Sequence, residues 1–115
     1  MNREPSYIIV LRTDGGIQMQ ALELSDEPPL NLLQAMVGGY IETVPAKRGV
    51  LIVNDYGKGY GLPFNANATA MLRADVRDII LGDAVLVQVD GERLIGFPLR
   101  HAARIADSLR EAVPV

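Results

Sequence analysis

Apolar residues along this chain fall into short blocks whose period changes from two to about three and a half and back, and the changes mark the elements. Residues 7–12, YIIVLR, are rich in β-formers and apolar on both alternate faces, which predicts a central strand. TDGG then supplies a turn. IQMQAL, residues 17–22, alternates with Ile17, Met19 and Ala21 on one face, so the pair reads as a hairpin whose second strand is wet on one side.

In SDEPPLNLLQAMVGG, Ser25 or Asp26 is expected to cap a short helix, Glu27 and the prolines suit its first turn, and Gly38 falls just past its end. Leu30, Leu33 and either Gln34 or Val37 share its apolar face. YIETV and GVLIVND, separated by the loop Pro45–Gly49, are expected to be neighbouring strands. A further short helix starts near Asn65 or Asn67. GDAVLVQV and ERLIGF, joined by Asp90–Gly91, form a second hairpin. From Leu99 to Val113, Ala102, Ile105, Ala106, Leu109 and Val113 recur at helical spacing and predict an amphipathic C-terminal helix. The expected architecture is a single α+β domain over residues 1–115. It has about six mostly antiparallel strands, two short helices and the tail helix, with the helices on one face or end and residues 1–6 as a flexible N-terminus.

Composition narrows the classes of function. With 115 residues and 49% hydrophobic content the chain can bury one core unaided. Cysteine is absent, which removes disulfides and thiolate chemistry and points to a cytoplasmic protein. No apolar run approaches the ~20 residues of a membrane span, so no membrane partner is expected. A net charge of −3 disfavours duplex nucleic acid, because neutralising many phosphates needs a clustered excess of Lys and Arg. A small anionic ligand needs only a few donors and is compatible with that charge.

Catalytic templates fail on the residues. His101 is the single histidine, expected as a solvated residue at the start of the tail helix, so no His-pair metal site exists. Ser6, Ser25 and Ser108 lack a nucleophile-elbow context. GKGYG lacks the order of a phosphate-binding loop, and its glycines read as turn residues or as a backbone that a flat or anionic ligand can approach, with Lys58 as the point charge. No cofactor is expected.

The binding signals are of another kind. Aromatics make up only 5% of the chain, yet Tyr40, Tyr56 and Tyr60 all sit beside glycines, where they either pack at a sheet edge or stack on a ring. One of Asn65 and Asn67 is expected to cap the helix, leaving the other's amide free for a heteroatom edge, and Thr69 lies one turn on. Glu42 either pairs with Lys47 or Arg48 or hydrogen-bonds a ligand. Gly38 and Gly39 let the chain reverse and strip side chains from one wall. Arg100 and Arg104 read as a solvated face of the tail helix, whose small-residue stripe also suits a subunit contact.

LLQAMVGGYIETVP, VNDYGKGYGLPFNANATAML and ILGDAVLV together resemble a phage and mobile-element family of small domains of unknown function. In that family an L-Q-x-x-V-G-G-x-I-E turn is followed by an acidic-glycine turn, by L-P-x-N with a nearby Ala-Thr pair, and by a G-D-x-V-x-V strand. The likeness spans roughly residues 7 to 90 and leaves out the tail helix. Lys58 and Tyr60 lie where the family tends to carry an acidic pair and a shorter turn. The resemblance implies an inhibitor or sponge that binds a host factor or a signalling nucleotide without catalysis.

The resulting expectation is a homo-oligomeric, non-enzymatic binder of a small molecule, with a cyclic or linear nucleotide as the candidate class. Tyr40, Tyr56 and Tyr60 stack, Asn65, Asn67, Thr69 and Glu42 hydrogen-bond, and Lys58 with the Gly38–Gly39 and Gly57–Gly61 backbones meets phosphate. The alternative is a protein-interaction module acting on a host factor. An accessory enzyme ranks last because no acid–base pair is visible.

Overall fold

The computed structural model describes residues 4–111. Six strands and four helices follow the order β1 (Ser6–Leu11), β2 (Ile17–Leu22), α1 (Leu30–Val37), β3 (Ile41–Pro45), β4 (Val50–Asn54), α2 (Gly57–Tyr60), α3 (Ala66–Ala70), β5 (Ala84–Asp90), β6 (Arg93–Ile95) and α4 (Leu99–Glu111). The strands form one sheet in the order β2-β1-β5-β4-β3, with every ladder antiparallel. β6 pairs with the end of β5, beyond the span that β1 covers, and the chain behind it bridges back to Tyr7 through Phe97. The fold class is α+β, as the sequence pattern predicts.

The apolar run of β1 is buried on both sides, and β4 and β5 behave alike. Ile8, Ile52, Val85 and Val87 face one layer, where Leu33 and Val37 of α1 cover them. Ile9, Leu11, Leu51, Val53, Ala84 and Leu86 face the other, covered by Ala102, Ile105, Ala106 and Leu109 of α4 and by Ala68, Met71 and Leu72. The helices therefore lie on both faces rather than on one face or end, because three central strands without a polar face need two covers. The small-residue stripe of α4 is buried against the sheet and is not available as a subunit contact. Arg100, His101 and Arg104 are exposed on its outer side. Val113 lies outside the described residues, as do residues 1–3 of the expected flexible N-terminus, while Ser6 already belongs to β1.

The start of α1 departs from expectation. Its N-cap position is Pro29, and neither Ser25 nor Asp26 caps it. A proline holds the residue before it extended and lacks the N–H that a helix interior requires, so the pair Pro28–Pro29 delays the helix to Leu30. Ser25 Oγ instead accepts the Glu27 N–H at 3.1 Å, and Asp26 accepts the Ser6 hydroxyl at 2.9 Å. Leu30 is consequently exposed, and Leu33 and Val37 carry the buried stripe.

Asn65 is fully buried and joins three segments. Its side-chain oxygen accepts the Ala68 N–H at 3.0 Å, capping α3, while its amide donates to Leu11 O and Gly82 O, both at 2.9 Å. Its own N–H donates to Ile80 O at 2.8 Å. Replacing Asn65 with Ala strands several buried backbone groups at once, so urea unfolding is expected to show a loss of about 2–4 kcal/mol. A loss below about 1 kcal/mol would contradict this role.

Candidate functional site

The site begins at the end of α1. Gly38 adopts a left-handed conformation, φ +80°, and its N–H and that of Gly39 donate to Gln34 O at 2.9 and 3.0 Å. The chain reverses there and enters β3, which answers to Gly at the position past a helix end. At Gly39 an added Cβ would stand 3.0 Å from the side-chain nitrogen of Asn54, so the second glycine admits that amide.

Asn54, the last residue of β4, is buried and ties the surrounding backbone together. Its amide donates to Val37 O at 3.0 Å, closing the end of α1, and its oxygen accepts the Tyr56 N–H at 2.8 Å. Asp55 N–H donates to Tyr40 O at 2.9 Å. Tyr40 and Tyr56 are thus held side by side by one amide side chain and one strand-end hydrogen bond. The single turn of α2 then returns Tyr60, whose N–H donates to Tyr56 O at 2.9 Å, and the two rings lie 5.9 Å apart at 46°.

All three rings are exposed, Tyr40 at 74%, Tyr56 at 58% and Tyr60 at 68%, although a folded chain ordinarily gains by covering aromatic surface. Together with Gln34, Gly39 and Asn54 they line a shallow concavity of about 270 Å³. A second concavity of about 220 Å³ adjoins it through Asn54 and Tyr56 and is lined in part by Glu42, Asp55, Lys58, Asp78 and Ile79.

The charge of this second hollow is acidic. Lys58 Nζ is paired with Asp78, which also accepts the Ile79 N–H at 2.8 Å. The Lys58 hydrogen bond, then the Ile79 N–H, holds the Asp78 carboxyl below the ordinary carboxylate range. Glu42 and Asp55 have no ion-pair partner among the described residues, so the expected contact of Glu42 with Lys47 or Arg48 does not form.

Of the residues singled out from sequence, Gly39, Tyr40 and Tyr56 with Tyr60 meet in the first hollow, Glu42, Tyr56 and Lys58 meet in the second, and Gly38 makes the turn between helix and strand. Three others lie elsewhere. Asn65 is consumed by the core contacts described above. Thr69 Oγ1 donates to Asn65 O at 2.8 Å and accepts the Ile80 N–H at 2.9 Å, so its hydroxyl is committed to the fold. Asn67 reaches Gly15 O at 3.4 Å, beside the β1–β2 turn, and lines neither hollow. Gly57 is buried against Leu81, whose carbonyl would stand 2.9 Å from an added Cβ; its glycine identity serves packing. The sequence pattern does not mark Asn54 or Asp78 for a site, and Gln34, an alternative for the apolar face of α1, lines the first hollow instead. A lone amide closing the apolar run VLIVN was the available signal for Asn54, since a buried polar side chain at a strand end needs named partners.

A family model described as a domain of unknown function (DUF3846) matches residues 7–110, and the chain belongs to that family. The match takes in α4, which the motif resemblance had left out. No curated protein and no solved structure matches the chain.

Two outcomes follow from this geometry. Asn54→Ala leaves Val37 O and Tyr56 N–H without their buried partner, and denaturant unfolding is expected to show a loss of about 1–3 kcal/mol. The Asp78 carboxyl should titrate below its ordinary value by NMR, rising toward it in Lys58→Ala while the Ile79 N–H retains part of the shift. Because its folded value is depressed, the stabilisation it brings is present above the unfolded carboxylate range and is lost as the pH falls through the folded value. Unchanged titration in Lys58→Ala would refute the assignment.

Proposed function

We propose that this protein binds, without transforming it, a small ligand bearing a flat ring, with a nucleobase or nucleoside as the class, on the surface formed by Tyr40, Tyr56 and Tyr60. The observation that carries this reading is the exposure of three of the chain's four tyrosines at one hollow, on a backbone fixed by Asn54. Ring faces presented to water stack on bases at about 1–3 kcal/mol each, with little regard to base identity. A hollow of about 270 Å³ suits one or two rings, just under the usual size of a drug-sized site.

Polar recognition falls to Gln34 at the rim and to Glu42 and Asp55 next door, which favour ring amino groups as donors. The reading places no phosphate on Lys58, because that ammonium is held by Asp78 among further carboxylates. A phosphorylated ligand would leave its phosphate in solvent. In the phage or mobile-element setting that the motif resemblance implies, retention of such a ligand would withdraw a nucleotide signal from a host defence.

The chain has no tryptophan, so its intrinsic fluorescence comes from its four tyrosines, three of which lie on this surface. Titration with nucleobases, nucleosides, linear nucleotides and cyclic dinucleotides is expected to perturb that emission, with nucleosides and their phosphates binding alike. Tyr56→Ala should weaken binding about 5- to 150-fold, whereas Asn67→Ala should leave it unchanged. No response across the panel, or binding that survives Tyr40→Ala and Tyr56→Ala, would end the proposal.

A further inference from the structure

The two outer strands of the sheet are treated differently by the sequence, and the difference lies in which backbone groups remain open. In the β1–β2 ladder Arg12 N–H donates to Gly16 O at 2.9 Å, and the register pairs Val10 with Gln18, Ile8 with Gln20 and Ser6 with Leu22. Alternate residues of an antiparallel strand bond to one neighbour, so Gln18, Gln20 and Leu22 face β1 while Ile17, Met19 and Ala21 turn their N–H and C=O groups outward. Two contacts agree with that phase: Arg110 Nη2 donates to Ile17 O at 3.0 Å, and the Gln20 amide reaches Ala21 O at 3.3 Å.

At the other edge, β3, the same reasoning leaves only Ile41 and Thr43 open. Asp55 N–H to Tyr40 O and Ala46 N–H to Gly49 O fix the phase. Pro45 has no N–H to offer, its carbonyl accepts the Arg73 N–H at 3.4 Å, and Lys47 N–H donates to Met71 O at 2.8 Å, so residues 71–73 cover that end. Glu42 adds a charge within the strand. Proline, charge and a covering segment are the devices by which proteins blunt an edge. β2, IQMQAL, carries no charge, no proline and no glycine over its six residues.

We infer that β2 is a self-pairing edge, at which a second copy of this chain adds its own β2 antiparallel about a two-fold axis through Gln20. In that register Met19 of each copy exchanges both backbone hydrogen bonds with Ala21 of the other, using the groups that point outward, and the exposed Gln20 amide gives up the Ala21 carbonyl that it reaches in the single chain. Gln20 stands directly opposite the second copy's Gln20, where two side-chain amides can satisfy each other. The same register sets the second copy's Glu23 across from Ile17, beside the Arg110 guanidinium that already holds the Ile17 carbonyl, so the ends of the new ladder are complementary in charge. Glu23 is exposed and has no ion pair among the described residues. The contact is isologous and closes on two copies, while the blunted β3 stops further growth of the sheet.

Sedimentation equilibrium of the full chain is expected to give twice the chain mass of 12.5 kDa. Gln20→Lys places like charges opposite each other at the axis and should give a folded monomer, since Gln20 is exposed, with an unchanged circular-dichroism spectrum and a melting temperature that, unlike that of the wild type, does not rise with protein concentration. Mixing Gln20→Lys with Gln20→Glu should restore the dimer. Met19→Pro, which removes an outward N–H and no bond to β1, should also yield a monomer; should it fail to fold, the charge pair decides. A monomeric wild-type chain, or a dimer that Gln20→Lys leaves intact, overturns the inference.

Discussion

Three strands that are apolar on both faces govern this structure. β1, β4 and β5 contribute Ile8, Ile9, Leu11, Leu51, Ile52, Val85, Leu86 and Val87, all without measurable exposure, to the two sides of the sheet. At about 1.5–3 kcal/mol for each large side chain moved out of water, neither face can be left wet. The chain must therefore place one helix on each side and route its connections around the ends of the strands. α1 arrives at its end on one face, and the excursion from Asp55 to Leu81 leaves for the other. Both pass the end of the β3–β4 pair where Ile41 lies opposite Asn54, and the tyrosines sit at that passage.

Asn54 makes the passage rigid. A double glycine followed by a glycine-rich turn would otherwise be among the least constrained segments of the molecule, because glycine gives up the most conformational freedom on folding. One buried amide removes that freedom from both sides, accepting from the loop and donating to the helix. The hydrogen bonds of the glycine segments close on the protein, and the rings they carry are left facing solvent. That separation, a backbone satisfied inward and aromatic faces outward, is what a preformed binding surface needs if it is not to lose affinity to ordering on contact.

Periodicity made most of the fold legible. The two-sided run of YIIVLR placed β1 in the middle of the sheet, the alternation of IQMQAL marked β2 as its hairpin partner with one wet side, and the helical spacing of Ala102, Ile105, Ala106 and Leu109 gave α4. What periodicity does not report is which side of a sheet a helix takes, and so the two covers were read as one. It is equally silent on whether an amide turns in or out: Asn65 and Asn67 have the same local context, yet one is sealed in the core and the other reaches the β1–β2 turn at the surface. The distinction depends on Leu11 and Gly82, residues far along the chain whose carbonyls only the fold brings together. The convergence of Tyr40 with Tyr56 could be suspected because both flank glycines at the ends of adjacent elements. The pairing of Lys58 with Asp78, twenty residues apart, could not, and it changes the electrostatic character of the site.

The proposed edge and the proposed surface stand at opposite ends of the strand order, with β2 outermost on one side and β3, beside Tyr40, outermost on the other. Pairing through β2 would leave both tyrosine surfaces at the distal ends of a longer sheet, each complete within its own copy and sharing no residue with the other. Coupling between them would have to travel through β1, β5 and β4, whose side chains are packed on both faces and which carry no two-state element that either site could bias. Two independent sites of equal affinity are therefore the physical consequence of joining the two readings. Avidity for a ligand carrying two rings would then depend on whether its span could reach across the whole assembly, which a compact dinucleotide could not do.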